Sequence, residues 1–394
     1  MKILNVNKFY YPRGGDCVAA LSLEELLTQR GHEVATFSSM HPDNLPSKWS
    51  PYFAPEINFT SSGFNDRRRA VGRILFSRTV KKQFVRILDD FRPDVVHLHN
   101  IHSYLSPGIA QIAHQRGIKV VWTVHDYKLV CANYALLREG KPCDLCLGNR
   151  LAVIQHKCIK GSLPASVLGY LEALVWNAKI LNTYTDAFIS PSAFLKQKMV
   201  DFGYSADKIH VVHNLMNVRF PEVDPSKADY YCYSGRLSEE KGIDVLLEAA
   251  ADLPYKLIVL GDGQRMAEYK EKYKKANIEF KGYVDREDAL RIIARARFTA
   301  VPSICYENSP YSIKDSLCMR TPVLCSDLGS MPEVIEMGKN GFVFAAGDVS
   351  DLQKMIRHCF DVFDDQFDYD SIAQKARDLF SVNSYYQQIM SLYK

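Results

Sequence analysis

No run in this chain approaches the ~18 uninterrupted apolar residues that a bilayer-crossing helix needs, although 47% of its 394 residues are hydrophobic. Its first residues, Met1-Lys2-Ile3-Leu4-Asn5-Val6-Asn7, meet polar side chains too soon for a secretory h-region. A cytosolic protein is therefore expected, with its ten cysteines as thiols rather than disulfides. Internal repeats and low-complexity tracts are missing too, so neither a solenoid nor a disordered chain is indicated. The net charge of +4 is modest, and no aromatic-interleaved basic platform accompanies it. Nucleic acid is not an expected partner.

One absence is local. No acid lies between Arg67 and Leu88, while Arg67, Arg68, Arg69, Arg73, Arg78, Lys81, Lys82 and Arg86 crowd that stretch. Val71, Ile74, Leu75, Val80, Phe84, Val85 and Leu88 are interleaved with them. A helix with a core face and a solvated charged face produces this pattern. A basic amphipathic segment lying on an anionic bilayer produces it as well. Peripheral attachment at the inner face of the plasma membrane is the expectation drawn here.

What the chain does contain is a regular alternation of short apolar strands and amphipathic helices, which implies parallel sheets wound with helices. Strands read at Lys2–Val6, Glu33–Ser38, Asp94–Leu98, Lys119–Val124, Ala187–Ser190 and His210–Val212. A second set reads at Tyr230–Ser234, Lys256–Leu260, Ile278–Phe280, Phe298–Val301, Val323–Ser326 and Phe342–Phe344. Helices such as Cys17–Arg30 and Ser103–Arg116 end at Gly31 and Gly117, as left-handed caps require. The region Asn214–Ala228 has two prolines and no strong periodicity, and reads as a linker. The expected architecture is α/β, two Rossmann-like domains facing a central cleft. Their spans are residues 1–215 (with a Cys-rich insertion at 127–160) and 216–375. A last helix, 376–394, would cross back to the first domain.

Ligands of such sheets bind at the carboxyl ends of the strands, and the polar residues concentrate there. After Phe298–Val301 comes Tyr306-Glu307-Asn308-Ser309-Pro310-Tyr311-Ser312-Ile313-Lys314-Asp315. It sets two carboxylates, Glu307 and Asp315, eight positions apart across a predicted helix start near Pro310. The amides of Tyr311, Ser312 and Ile313 would form a helix N-terminus suited to phosphate. One carboxylate can receive sugar hydroxyls and the other a ribose. After Tyr230–Ser234 comes Gly235-Arg236-Leu237-Ser238-Glu239-Glu240-Lys241-Gly242, whose two cations can neutralise a diphosphate. Lys256–Leu260 ends in Gly261-Asp262-Gly263, Lys119–Val124 in His125, and the first strand leads to Gly14-Gly15 before a helix. His97, His99 and His102 look like a metal cluster at first sight, but no acid is near in sequence. Contacts to donor or acceptor suit them better.

In this order the segments resemble family-4 retaining glycosyltransferases, which have the GT-B fold. The E-x7-E motif of that family corresponds to Glu307 and Asp315, the second acid here being one methylene shorter. Gly235 to Gly242 resembles its G-R-L-x-x-x-K-G element. The resemblance implies that Arg236 and Lys241 bind the donor phosphates and that Glu307 holds the donor sugar. His125 would then orient that sugar. Gly14, Gly15, Gly235, Gly261, Asp262, Gly263, Asn308, Ser309, Pro310 and the amides at 311–313 would line the donor pocket, with Asp315 on the ribose. It further implies a nucleoside-diphosphate sugar as donor, a saccharide or lipid-linked hydroxyl acceptor, and no catalytic metal. The alternatives are a nucleotide-sugar epimerase, a sugar phosphorylase, or a non-catalytic nucleotide-sugar-binding protein.

Separately, Cys131, Cys143, Cys146 and Cys158 form C-x11-C-x2-C-x11-C within 28 residues. Four thiols around a C-x2-C knuckle have the ligand count of a structural zinc site, which could staple a long loop.

Overall fold

The computed structural model describes residues 1–57, 72–73, 77–216, 220–224, 226–361 and 367–394. The chain divides into two compact units. One comprises Met1–Leu136, Asp144–Leu215 and Tyr385–Lys394, the other Leu137–Cys143 and Met216–Ser384.

The first unit holds six parallel strands: β1 (Lys2–Val6), β2 (Glu33–Phe37), β3 (Val95–Leu98), β4 (Lys119–Thr123), β7 (Ala187–Ser190) and β8 (Ile209–Val211). Their order is β2-β1-β3-β4-β7-β8. Between them in sequence, β5 (Leu137–Arg138) and β6 (Lys141–Pro142) pair as a small antiparallel ribbon assigned to the second unit. That unit carries β9 (Tyr230–Ser234), β10 (Lys256–Leu260), β11 (Ile278–Gly282), β12 (Thr299–Val301), β13 (Val323–Ser326) and β14 (Gly341–Phe344). They are also parallel, in the order β11-β10-β9-β12-β13-β14. Helices cover both faces of a parallel sheet, so its central strands are apolar nearly throughout. β3, β7 and β13 are accordingly buried at every position.

In each order the winding direction reverses once, between β1 and β3 and between β9 and β12. The loops leaving those strands part to opposite sides and open a crevice at the strand ends. Gly14 and Gly15 follow β1, Gly235 to Gly242 follow β9 and Glu307 follows β12, while His125 and Gly261 follow the adjacent strands β4 and β10.

Differences from the expected elements have local causes. The helix expected from Ser103 begins only at Gly108. Ser103 and Ser106 sit at φ of +62° and +65°, outside helical space, and Pro107 then restarts the chain. The single long helix expected near the C-terminus is two, Tyr369–Leu379 and Val382–Tyr393. No described residue of 214–228 is in a helix or strand.

Of the basic stretch, Arg67, Arg68 and Arg69 lie outside the described residues. Arg73 corrects the reading of a wholly exposed charged face. It is buried, and its guanidinium donates to the carbonyls of Tyr104 at 3.1 Å and Pro55 at 2.7 Å. Further on, the Arg78–Phe91 helix buries Val80, Phe84, Ile87 and Leu88 and exposes Arg78, Lys81, Lys82 and Arg86. Its apolar face is spent on the core. No described helix is long and apolar enough to cross a membrane.

Candidate functional site

At the β9/β12 switch point two loops meet. Strand β12 runs into Pro302 and Ser303, and β9 into Gly235 and Arg236. Lys241 Nζ lies 2.6 Å from Glu307 Oε1, and the Ser303 hydroxyl donates to the same oxygen at 2.7 Å. The Glu307 side chain is 12% exposed and that of Lys241 30%, so the pair is part-buried rather than a solvated surface bridge. Arg236 projects outward, 68% exposed, and pairs with Glu240 at 2.9 Å. Glu240 is fixed by the Ser238 hydroxyl at 2.7 Å.

Glycines allow these loops to lie so close. Gly242 has φ +67°, and a Cβ there would stand 1.8 Å from the Pro302 carbonyl oxygen. Gly261, at φ +129°, would put a Cβ 1.9 Å from the Gly235 oxygen. At Gly263 the obstruction is Leu237, whose carbonyl oxygen would be 2.2 Å away. The Gly261-Asp262-Gly263 turn is thus glycine-rich because it packs on the 235–237 backbone. The Leu237 amide donates to the Asp262 carbonyl at 2.9 Å.

The helix expected near Pro310 spans Tyr311–Cys318, with Pro310 at its N-cap and no side chain capping it. Tyr311, Ser312 and Ile313 therefore form its first turn, whose amides have no acceptor within the helix. Asn308, Ser309 and Pro310 are half-buried in the loop before it. Asp315 does not stand open to solvent. Its carboxylate is 2.6 Å from Arg286, and burial raises its pKa from the ordinary aspartate value against the pull of that cation. Arg286 escaped sequence reading. Asp285 announces the helix it begins, but nothing local links it to a carboxylate 29 positions on. Ser303 was missed for a similar reason, being one serine after a proline.

In the first unit, Gly14 is extended (φ −168°) and the helix starts at Gly15, so neither glycine is demanded by backbone conformation. The first turn of this helix is occupied by Asp16, which binds Lys8 at 3.2 Å and Asn100 at 2.8 Å. Burial opposes ionisation of Asp16, yet the charges of Lys8 and His125 and the Asn100 hydrogen bond hold its pKa low. His125 lies beside this group at the end of β4. Its Nε2 is 2.8 Å from His99 Nδ1, and His99 Nε2 is 2.8 Å from Asn5 Oδ1. The Asn5 amide nitrogen donates to the Ala20 carbonyl, so its oxygen must accept. His99 therefore carries its proton on Nε2, and His125 donates from Nε2 to His99 Nδ1.

The neighbouring histidines differ in their surroundings. His97 is fully buried between Tyr393 and Thr123, and His102 stacks on Trp122. Burial pushes the pKa of His125 down to about 4 and that of His97 to about 3, and lowers His99 as well. Unfolded, these rings would take up protons below pH ~6.5. Acid therefore favours the unfolded chain. Stability of the first unit is expected to be full above that pH and to fall progressively as pH drops toward 4. Melting temperatures recorded between pH 7.5 and 4.5 check this, and His97→Gln should flatten the slope.

The expected zinc site is not formed. Among the described residues no three His, Cys, Asp or Glu side chains converge as a metal ion requires. Cys131 Sγ donates to Asn133 Oδ1 at 2.9 Å, Cys158 Sγ points to the Ala152 carbonyl, and Cys143 belongs to the second unit. What staples the insertion is ordinary packing of Val130, Leu136, Ala152 and Val153, with ion pairs Lys198–Asp144 at 2.7 Å and Lys128–Glu172 at 3.0 Å.

Comparison with known proteins agrees with the two-sheet plan. Residues 14–220 match the family model described as Glycosyltransferase Family 4, and residues 217–378 that described as Glycosyl transferases group 1. An uncharacterized 42.6 kDa protein in the cps region of Klebsiella pneumoniae is 24% identical over 374 residues, covering 90% of this chain and 92% of its own length. Among solved structures, the apo lipopolysaccharide outer core galactosyltransferase WaaB superposes with a TM-score of 0.68 at 17% identity, covering 99% of each chain. The Anabaena protein HepE in complex with UDP gives a TM-score of 0.68 at 16% identity, again over 99% of each chain. The family matches cover both halves of the chain, and the parallel six-stranded sheets are those of the GT-B fold. The chain is a glycosyltransferase and belongs to glycosyltransferase family 4.

Proposed function

We propose that the protein moves a sugar, with retention of anomeric configuration, from a nucleoside-diphosphate sugar to a hydroxyl of a saccharide or lipid-linked acceptor. The setting would be cell-surface polysaccharide or glycolipid assembly on an anionic membrane surface, at the inner face of the plasma membrane. The observation that carries this reading is the Lys241–Glu307–Ser303 cluster at the β9/β12 switch point. There a fixed cation and a carboxylate sit 2.6 Å apart, close in sequence to the uncapped Tyr311–Cys318 helix. HepE, a fold relative, has been solved with UDP bound.

The chemistry follows from where charge develops. As the glycosyl–phosphate bond breaks, the diphosphate gains negative charge, and preorganised cations and amides stabilise it. Arg236, Lys241 and the first-turn amides at Tyr311–Ile313 fill that role. A diphosphate arriving at Lys241 competes with Glu307 for the ammonium, leaving the carboxylate to accept hydroxyls of the donor sugar. His125, held by its hydrogen bond to His99 at the end of β4, would orient the donor sugar. The leaving diphosphate itself takes the acceptor proton, so no protein nucleophile is required.

Thermal stabilisation by a panel of nucleotide-sugars identifies the donor, since a ligand of the folded state raises apparent stability by mass action. Proton NMR of the transfer product then decides the stereochemistry. An inverted linkage overturns the retaining mechanism. Donor interconversion without acceptor supports an epimerase, phosphate-dependent turnover a phosphorylase, and binding without consumption a non-catalytic protein.

Asp315 is assigned to the ribose. Asp315→Ala is expected to weaken binding of the free nucleoside diphosphate by about 1–3 kcal/mol, the cost of losing a charged hydrogen-bond acceptor. Asp315→Glu should be tolerated. Calorimetry with the diphosphate checks both, and unchanged affinity in the alanine variant removes the assignment.

A further inference from the structure

The Leu163–Val175 helix is packed the opposite way round from an ordinary surface helix, whose apolar stripe faces the core. Its buried residues are Ser166, Gly169 and Glu172, the last ion-paired with Lys128 at 3.0 Å. Its exposed residues include Leu163, Val167, Leu171, Leu174 and Val175, each between 37% and 48% accessible. With 3.6 residues per turn, these five fall in one arc of about 120°, opposite the three inward positions. Just before this helix, Leu145, Leu147 and Leu151 are exposed as well. Leaving this many leucines in water is unfavourable unless something covers them.

The charge around the stripe indicates what does. Residues 145–185 contain a single acid, Glu172, and it is buried. Arg150, Lys157 and Lys160 are exposed on the amino-terminal side of the helix, and Lys179 just beyond its carboxyl end. An apolar strip flanked by cations complements a layer of anionic headgroups above acyl chains. A second copy of the chain, docked two-fold on the same patch, would instead bring like charges together.

We propose that the Leu163–Val175 helix, with Arg150, Lys157, Lys160 and Lys179 around it, is the surface by which this protein docks on an anionic lipid bilayer. This deepens the membrane part of the proposed function and is independent of the donor assignment. It also moves the contact away from the Arg78–Phe91 helix, which exposes cations but buries its apolar side chains.

The test is co-sedimentation of the full chain with vesicles of phosphatidylcholine alone or with 30 mol% phosphatidylglycerol, at low salt and without donor. The wild type should bind the anionic vesicles, more weakly as salt rises. Leu171→Gln/Leu174→Gln should weaken partitioning at least tenfold by removing apolar side chains from the lipid interface. Lys157→Glu/Lys160→Glu should weaken it by more than tenfold, each cation near an anionic surface contributing about fivefold. Lys81→Glu/Lys82→Glu should change it less than twofold. All altered side chains are exposed, so melting temperatures should stay near wild type and confirm intact folding. Turnover of a short water-soluble acceptor should be unchanged in the leucine variant, which separates failure of docking from failure of the transferase reading. A wild type that ignores anionic vesicles overturns the proposal, as does equal binding by the leucine variant. Self-association abolished by Leu171→Gln/Leu174→Gln, with no vesicle binding, would assign the face to a second copy instead.

Discussion

Replacing Lys241 by alanine is expected to slow sugar transfer by about 10²–10³-fold, the scale for losing one preorganised stabiliser of developing charge. Two effects act together. The diphosphate loses the cation that meets it as the bond breaks, and Glu307 keeps only the Ser303 hydroxyl of the partners described above. The Glu307 carboxylate, its Lys241 cation removed and its side chain only 12% exposed, then faces the incoming phosphates and repels them. Steady-state kinetics should therefore show both a lower kcat and a higher donor KM. Stability should fall by about 1–3 kcal/mol, the cost of taking a charged hydrogen-bond partner from a part-buried carboxylate, a loss that melting temperatures separate from the kinetic effect. Arg236→Ala should lower transfer on the same scale, but through the leaving group alone, since Arg236 does not contact Glu307. Near-normal rates in both variants would remove the phosphate-clamp assignment.

Gly242→Ala should be the most destabilising single substitution in this loop. The added Cβ would stand 1.8 Å from the Pro302 carbonyl at a backbone φ of +67°, so both steric room and conformation are denied. Left-handed backbone costs about 1–2 kcal/mol and forced overpacking about 1–3. Together they predict a loss of about 2–5 kcal/mol, or roughly 5–15 °C in the melting transition of the second unit. Gly31→Ala provides the comparison, because Gly31 is also left-handed (φ +81°) but nothing lies within 4 Å of its would-be Cβ. It should show the conformational cost alone. Equal melting of the two variants would mean that close approach to Pro302 is not what holds the Lys241 loop in place.

The sequence by itself determined the α/β class and the approximate position of nearly every strand. Strands buried on both faces of a parallel sheet must be apolar throughout, and that is a local pattern. It likewise placed Glu307 in a loop, Asp315 within a helix and His125 at a strand end, because turn and helix-start signals act over a few residues. Where local signals conflicted it was less accurate, as when Ser103 and Ser106 adopted left-handed backbone and delayed a helix to Gly108.

Only the tertiary structure decided which residues meet. Lys241 and Glu307 are 66 positions apart and meet through the β9/β12 reversal and the Gly242–Pro302 contact, while Arg286 and Asp315, 29 apart, meet because the Arg286–Arg295 and Tyr311–Cys318 helices pack on each other. The His125–His99–Asn5 chain exists because β1, β3 and β4 are neighbours in the sheet. The cysteines illustrate the converse. Their spacing satisfied a rule for metal sites, but among the described residues no three of the thiols form a metal-binding group, and the insertion has apolar packing and two ion pairs instead. Which way the Leu163–Val175 helix turned was also beyond local pattern. An amphipathic helix can offer either face to its neighbours, and here the Lys128–Glu172 pair draws the polar face inward and leaves the leucines outside.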